Sequence, residues 1–293
     1  MVACDHQPET REGQAGPYGV AERPVGLMTP GNAGRGKGPL FKAAQDVARY
    51  PEIGMGLTTP PKVQKLQAAL HAKAKGSPNC RFHAVYDKVY RIDVLTHAYA
   101  LCQTHQGAAG VDGQGFEDIE SQGLERWLGE LAEALRTKTY RPQAVRRVYI
   151  PKPDGRQRPL GIPTVLDRVV QTAAGLVLGP IFEADLQPEQ YAYRPNCSAL
   201  DAVRRVHSLV STGYTEVVDG DLSGYFDEIP HAELMQSVAR RISDGPMLHL
   251  IKMWLEMPVE EADGRGRKQR TTRNKDAGKG TPQGAPISSI RLR

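Results

Sequence analysis

Residues 217–229 read Val-Val-Asp-Gly-Asp-Leu-Ser-Gly-Tyr-Phe-Asp-Glu-Ile, an apolar run followed by closely spaced carboxylates and two aromatic side chains. If residues 216–222 form a strand, its two-residue period places Asp219 and Asp221 on one face and Val218 on the other. Carboxylates at a strand end are suited to hard cations such as magnesium, which prefer oxygen ligands. The alternative is a strand that runs into an acidic turn, where the acids serve only solvation and turn geometry. Taken alone, the stretch favours that structural interpretation, so the other segments must decide.

The composition is that of a soluble globular protein, with 40% hydrophobic and 24% charged residues among 293, enough for one large or two ordinary domains. The four cysteines lie far apart without metal-type spacing, which favours a reducing compartment and argues against a structural zinc. The longest apolar run, residues 169–182, is short for a bilayer span, and the N-terminus lacks the apolar core of a signal peptide. We therefore expect a cytoplasmic protein with no membrane partner.

Hydrophobic periodicity predicts a mainly helical chain behind an N-terminal segment, residues 1–57, that we expect to be a mostly disordered basic tail. A helix is predicted from Pro60 to Gly76, and a second carries Ile92, Leu95, Tyr99 and Cys102 on one stripe. Further helices are predicted over residues 117–135, over 164–178 with an interruption at Gly179-Pro180, after the capping residue Ser198 with Leu200, Val203, Val206 and Leu209 facing inward, and over 231–242 and 247–256.

Residues 136–158 carry an unusual excess of positive charge, with eight Lys and Arg residues against the single acid Asp154. Within this segment residues 145–150 have strand propensity, and a Pro-Asp-Gly turn at 153–155 predicts a β-hairpin that returns through Arg158. A basic hairpin suits a phosphate backbone. A solvated edge ribbon protected by charge is the alternative. Acids would protect an edge equally well, so their near absence favours nucleic acid.

Five short segments, in this order, resemble the group II intron-encoded reverse transcriptase/maturases: Gly107-Ala-Ala-Gly-Val-Asp-Gly113, Val148-Tyr-Ile-Pro-Lys-Pro-Asp-Gly155 with Arg158-Pro-Leu-Gly-Ile-Pro163, Gln190-Tyr-Ala-Tyr-Arg-Pro195, Asp221-Leu-Ser-Gly-Tyr-Phe-Asp227 and Gly280-Thr-Pro-Gln-Gly284. The similarity runs over residues 52–290. It implies an α+β fold shaped as a right hand, with polymerase fingers and a truncated palm whose ferredoxin-like sheet is incomplete. The implied organisation is a disordered tail (1–57), an N-terminal helical extension with a glycine-rich loop (58–115), fingers (116–210) and a partial palm (211–293).

The resemblance also implies roles for individual residues. Asp221 matches the first catalytic, metal-binding aspartate, with the Leu222 carbonyl as a further ligand of Mg²⁺, and Phe226 matches the aromatic residue that excludes a ribose 2′-hydroxyl. Lys152, Arg158 and Gln283 match residues that contact the incoming deoxynucleotide triphosphate. Intron RNA and an RNA template with a DNA primer are the implied partners, a homodimer is a further expectation, and the basic hairpin supplies the RNA contacts that we predict for Arg141, Arg146, Arg147 and Arg156.

One departure from the family pattern limits the expected activity. A two-metal polymerase site needs further carboxylates opposite Asp221, which the family supplies in a Tyr-Ala-Asp-Asp hairpin, and the 293 residues contain no Asp-Asp dipeptide. We therefore expect a frameshift or truncation after Ser288 and a catalytically incomplete reverse transcriptase. The alternatives are a non-catalytic RNA-binding module and the relic of a broken gene; soluble, cooperative unfolding of the purified chain would argue against a relic.

Overall fold

The computed structural model describes residues 57–151, 155, 157–192, 194, 197–222, 224–262, 267–281 and 284–286, together with a two-residue strand near the N-terminus. Within these residues helices and strands mix, which confirms the α+β class. The helices are α1 Pro61–Gly76, α2 Tyr86–Val89, α3 Ile92–Thr104, α4 Phe116–Gln122, α5 Leu124–Arg136, α6 Val165–Glu183, α7 Ala199–Ser211, α8 Tyr225–Glu228, α9 His231–Ala239, α10 Gly245–Leu255 and α11 Arg273–Ala277. The strands are β1 Cys4–Asp5, β2 Arg81–Phe82, β3 Val145–Pro151, β4 Gln157–Ile162, β5 Val259–Ala262 and β6 Lys268–Thr271.

The main sheet has four strands in the order β4-β3-β5-β6. Strands β3 and β4 pair antiparallel from Arg146 opposite Ile162 to Pro151 opposite Gln157, which confirms the predicted basic hairpin. Strand β5 joins β3 in parallel, and β6 pairs antiparallel with β5. These two strands were not predicted from the sequence. Each has only four residues, and β5 carries Glu260 and Glu261, a residue type that is uncommon in strands. A minor sheet pairs β1 with β2.

Helix α6 is the centre of the hydrophobic core, with thirteen of its residues buried, and it packs against α1 and α3. Its first turn is capped by Thr164, whose hydroxyl accepts from the Asp167 amide. The predicted interruption at Gly179-Pro180 is wrong, because α6 continues through Pro180 to Glu183. Pro180 cannot donate to the carbonyl of Leu176 four residues earlier. The buried side-chain amide of Gln67 donates to that carbonyl instead (3.1 Å), so a residue of α1 supplies the hydrogen bond that proline cannot make.

Helix α6 is also long and apolar enough to cross a membrane, with a mean hydropathy of 1.4 over its best window. Of that window 78% is buried inside the structure, as in the core helix of a globular protein. By length and composition alone, this is weak evidence for a membrane span.

A buried polar cluster joins the start of α6 to the segment that enters β3. The Asp167 carboxylate accepts from the Tyr140 hydroxyl (2.6 Å), the Thr164 hydroxyl (2.8 Å) and the backbone N–H of Gln143 (3.1 Å). The Tyr140 hydroxyl in turn accepts from the Trp254 indole of α10 (3.1 Å). Burial raises the pKa of Asp167, which shows that desolvation outweighs these three donors. The cluster therefore fixes residues 140–143, which lead into the basic hairpin, against the core.

Two helix predictions need correction in detail. The helix predicted over residues 117–135 is divided into α4 and α5 by Gly123, whose φ of +98° is open to glycine but strained for other residues. Ile92, predicted on the buried stripe of α3, is 54% exposed because it is the first residue of that helix, whereas Leu95, Tyr99 and Cys102 are buried as expected.

The predictions for residues 198–222 are wrong in their packing. Ser198 caps α7 as expected, but Leu200, Val203 and Val206 are all more than half exposed, and Leu209 is only partly buried. No helix or strand forms over residues 214–222, where Val218 is 98% exposed. Strands are stabilised by cross-strand neighbours, and the described residues place none beside this segment.

The N-terminal tail is not basic, because residues 1–57 hold six Lys and Arg against six Asp and Glu. Cys4 and Asp5 form β1, and the rest of the tail up to residue 56 lies outside the described residues, so the predicted disorder stays a prediction. Cys80 is disulfide-bonded, whereas Cys102 and Cys197 carry free thiols. Cysteine spacing did not predict that disulfide.

Candidate nucleotide and nucleic-acid site

The glycine-rich segment 278–281 is hydrogen-bonded along its length to the turn formed by α8 and the start of α9. The Thr281 amide donates to the Phe226 carbonyl (2.7 Å), and the Gly280 amide donates to the Ile229 carbonyl (2.8 Å). The His231 amide donates to the Gly278 carbonyl (2.8 Å). A mostly exposed ion pair between Lys279 and Glu228 (2.5 Å) adds to the contact. Segments 226–231 and 278–281 are thereby held as one unit.

Farther along the chain, Gly284 contacts strand β4 of the basic hairpin. A Cβ added to Gly284 would lie 2.4 Å from the Leu160 Cδ1 of β4, and Gly284 has a φ of +94°. Two residues of the loop, Thr281 and Ala285, are buried. In a strand, residues two apart share a face, so Arg158 lies on the same face of β4 as Leu160. The loop therefore lies between α8, which carries Phe226, and the strand that carries Arg158.

Local backbone geometry explains why these sequences turn where they do. Gly224 adopts the left-handed conformation (φ +61°) and starts α8, and its carbonyl accepts from the Asp227 and Glu228 amides. Gly280 (φ +89°) lies so close to α8 that a Cβ there would be 3.0 Å from the Asp227 carbonyl oxygen. Glycine at 280 thus serves both its backbone conformation and the close approach.

Comparison with known proteins shows which family the chain resembles. A family model described as reverse transcriptase (RNA-dependent DNA polymerase) matches residues 150–292. Protein YkfC of Escherichia coli (strain K12) is 34% identical over 234 residues, which are 78% of this chain and 59% of that protein. The group II intron-encoded protein LtrA of Lactococcus lactis subsp. cremoris is 32% identical over 177 residues, covering 60% of this chain and 29% of LtrA. Nuclear intron maturase 2, mitochondrial, of Arabidopsis thaliana is 33% identical over 110 residues, covering 37% of this chain and 15% of that protein.

The chain belongs to the group II intron-encoded reverse transcriptase/maturase family. It spans 59% of the length of YkfC and 29% of LtrA.

Among the predicted nucleotide-site residues of this family member, the structure brings together Phe226 and the strand of Arg158. Lys152, Arg156 and Gln283 lie outside the described residues. Asp221 and Leu222 lie just before α8, in the irregular segment 214–222, and both are exposed, Leu222 by 71%. Their predicted roles stay predictions.

The family implies a bound magnesium ion. In the part of the chain that the structure describes, no three His, Cys, Asp or Glu side chains are grouped so that they could hold a metal ion. The described side chains therefore do not fit a complete magnesium site, and no chemical step is assigned to the metal.

The predicted RNA-binding arginines differ in their surroundings. Arg146 and Arg147 are adjacent in β3 and so face opposite sides of the sheet. Arg146 donates from Nε and Nη2 to the Ala109 carbonyl (3.1 and 2.7 Å). The exposed Arg141 donates to the carbonyls of Lys138 and Tyr140 (2.9 and 2.7 Å). Arg147 lies near Tyr149, whose pKa is raised by its hydrogen bond to Glu261.

Sequence reasoning gave no role to two residues that organise the site. His231 follows Pro230, and its Nε2 is 2.7 Å from the Gly280 carbonyl, which adds a side-chain bond to the backbone bond at Gly278. Arg168 of α6 bonds the loop 107–113. Neither residue has a motif spacing that would have indicated the contact. Each acts on a segment about fifty or more residues away in the chain.

We expect His231→Ala to loosen the joint between α8 and the loop that follows Lys279. The variant loses one side-chain hydrogen bond, so unfolding should become easier by about 1 kcal/mol. Amide exchange at Gly280 and Thr281 should accelerate. Hydrogen exchange read by mass spectrometry and thermal unfolding would check this, with His231→Gln as a variant that keeps a donor and the exposed His207→Ala as the control. Unchanged exchange in His231→Ala would show that the backbone bonds suffice.

Proposed function

We propose that this chain forms the nucleotide-facing part of an RNA-directed DNA polymerase that also acts as the splicing maturase of a group II intron. The observation that supports the proposal is a pair of contacts made by the glycine-rich loop. The Thr281 amide bonds the Phe226 carbonyl of α8, and Gly284 packs against Leu160 of the strand that carries Arg158. An aromatic residue, a glycine loop and a cationic strand are the parts that selecting and binding a nucleotide require.

In this proposal each residue type has a definite task. Lys152 and Arg158 neutralise the triphosphate, because phosphoryl transfer depends on positioning and charge neutralisation more than on covalent help. Phe226 discriminates against ribonucleotides by bulk, and Gln283 contacts the nucleotide and template. Asp221 and the Leu222 carbonyl would be oxygen ligands of a magnesium ion, and that ion would supply neutralisation of phosphate charge.

The finer organisation is part of the same proposal. Residues 58–115 form an N-terminal helical extension, residues 116–210 the fingers and residues 211–293 a part of the palm. The protein acts in the cytoplasm on intron RNA and on an RNA template with a DNA primer. A homodimer is the proposed assembly.

Primer extension and binding together test the proposal. The 293 residues contain no Asp-Asp dipeptide, so we expect the chain alone to bind an RNA template annealed to a DNA primer but not to extend it with magnesium and deoxynucleotides. Extension that depends on Asp221 would contradict the catalytic incompleteness. Failure to bind the annealed template and primer would contradict the assignment to nucleic-acid synthesis.

A non-catalytic RNA-binding module is the second candidate, favoured by the basic hairpin. Such a module would grip and help fold the intron RNA without using the nucleotide site. Binding to the intron RNA with no preference for an annealed template and primer would distinguish this candidate from the polymerase.

Both candidates predict that RNA affinity depends on salt and on Arg147. Each phosphate contact contributes roughly 0.7 to 0.9 to the slope of log K against log salt concentration. We expect Arg147→Ala to reduce this slope by about that amount and to weaken binding similarly for unrelated RNA sequences. Titrations at several salt concentrations would measure it, with Arg126→Ala, on the exposed face of α5, as the matched control. An unchanged slope would remove Arg147 from the interface.

A further inference from the structure

The loop of residues 107–113 packs directly onto the first turn of α6. A Cβ added to Gly110 would lie 2.6 Å from the Thr164 Cα and 2.7 Å from its nitrogen, and both of these are backbone atoms. A Cβ added to Gly107 would lie 1.8 Å from the Arg168 Nη1. Two of the glycines in this segment are thus explained by close packing, since the loop rests on α6 without space for a side chain.

Two arginines from different elements bond three successive carbonyls of this loop. From β3, Arg146 donates from Nε and Nη2 to Ala109. From α6, Arg168 donates from Nη2 to Ala108 (2.8 Å) and Gly107 (3.3 Å).

The Arg168 guanidinium is further held by its surroundings. It lies over the Phe116 ring, with 5.5 Å between the Cζ atom and the ring centroid. It is half-buried, and desolvation lowers its pKa. A guanidinium that is desolvated, stacked on a ring and bonded to two carbonyls has little freedom to rearrange toward a phosphate.

We propose that Arg146 and Arg168 are positioning residues that fix the loop 107–113 against β3 and α6. They act on bound nucleic acid through that loop rather than by contact with phosphate. The hydrogen bonds of both guanidinium groups point toward protein carbonyls, whereas the neighbouring Arg147 faces the other side of β3. The effect on RNA rests on the proposed function, while the fixing of the loop does not.

Lysine substitutions separate the two roles. Lysine keeps the positive charge, so it should replace an arginine that contacts phosphate as a point charge, but it lacks the planar fork and stacks less well. We expect Arg146→Lys and Arg168→Lys to accelerate amide exchange in residues 108–111 of the free protein by about tenfold or more, because a single ammonium group cannot reproduce the forked hydrogen bonds of the guanidinium. RNA affinity should fall several-fold, while the salt slope keeps its wild-type value.

Two further substitutions provide a control and an independent way to displace the loop. Arg126→Lys, on the exposed face of α5, should change neither quantity. Gly110→Ala pushes the loop away from Thr164 while leaving both arginines intact, so it should reproduce the phenotype even if a lysine variant fails to fold.

Three outcomes would overturn the proposal or the function beneath it. Wild-type exchange in both lysine variants would show that the arginines do not fix the loop. Faster exchange with undiminished RNA affinity would show that the loop does not influence the RNA interface. If the wild-type chain itself does not bind RNA although exchange accelerates in the variants, the proposed function fails while the arginines still hold the loop.

Discussion

Replacing Asp167 by alanine should lower the free energy of unfolding by about 3–5 kcal/mol, because three buried donors lose their acceptor, and this is a large share of the roughly 5–15 kcal/mol that stabilises a typical domain. The carboxylate is fully buried and accepts from Tyr140, Thr164 and Gln143, so its removal leaves buried donors without an acceptor. Each unsatisfied group costs about 1–3 kcal/mol, although the Thr164 hydroxyl can rotate to reduce its share.

The loss should be visible at a defined place in the molecule. The Tyr140 hydroxyl accepts from the Trp254 indole, so disordering of Tyr140 should change Trp254 fluorescence before global unfolding. A Trp127→Phe background leaves Trp254 as the one tryptophan, since the chain has two. Urea titration followed by fluorescence and by circular dichroism measures both effects. Glu125→Ala, an exposed carboxylate in α5, is the control and should change stability by less than about 0.5 kcal/mol.

Asparagine at position 167 gives a second, pH-dependent readout. Burial raises the pKa of Asp167 in the folded protein above its usual value, so the folded state binds the proton more tightly than the unfolded state. The stability linked to that proton is fully present below the unfolded pKa of about 3.8 and is lost as the pH rises through the raised folded pKa. The difference in stability between wild type and Asp167→Asn should therefore shift in that acidic window. A difference that is constant with pH would show that Asp167 ionises normally in the fold.

The sequence allowed the local elements to be predicted better than their packing. The stripe of α1, with Val63, Leu66 and Leu70 buried, and the β3–β4 hairpin follow from periodicity and turn residues that lie within a few positions of each other. The Pro180 prediction failed because the bond that keeps α6 intact comes from Gln67, more than one hundred residues away. A local rule describes the cost of a proline but carries no information on a distant donor.

The same limit explains the errors in residues 198–222. The amphipathic pattern of α7 correctly indicated a helix with an apolar face, but not that Val203 and Val206 would stay more than half exposed. Equally, the β-branched run before Asp221 has strand propensity, which does not make a strand unless a neighbour pairs with it.

The candidate site was predicted as a set of motifs but not as an arrangement. The five resembling segments named Phe226, Arg158 and the loop at 280–284, and the structure places the described parts of these close together. It could not be read from sequence that Arg146 would bond Ala109 or that His231 would hold the loop at Gly280, because such contacts depend on tertiary placement.

Replacing Gly284 by alanine should weaken the contact of Gly284 and Ala285 with β4 and destabilise the protein by about 2–5 kcal/mol. Alanine at a φ of +94° is strained by roughly 1–2 kcal/mol, and its Cβ at 2.4 Å from the Leu160 Cδ1 adds an overpacking cost of about 1–3 kcal/mol. Among the described residues, Thr281 and Ala285 lie outside the main hydrophobic cluster, so local opening of this loop should precede global unfolding.

Tryptic cleavage after Lys279 reports this opening directly. In the wild type the following amide, that of Gly280, is bonded to Ile229, and cleavage should be slow until that bond breaks. Gly278→Ala is the matched control, because Gly278 also has a positive φ (+62°) but a Cβ there meets nothing within 4 Å. It isolates the backbone strain, and the additional cleavage in Gly284→Ala measures the contact with Leu160.

A double substitution decides whether that contact holds the loop in place. Leu160→Ala removes the side chain that the new Cβ would strike, so Leu160→Ala with Gly284→Ala should be cleaved at a rate close to that of Gly278→Ala. If instead the double variant opens as readily as Gly284→Ala alone, the backbone conformation of residue 284 fixes the loop and β4 contributes little. In the first case the packed contact at Leu160 links β4 to the loop that is bonded to Phe226, so a change in the hairpin at Leu160 would reach α8. In the second case the loop is held by its hydrogen bonds to α8, and the β3–β4 hairpin and Phe226 would be positioned independently of each other.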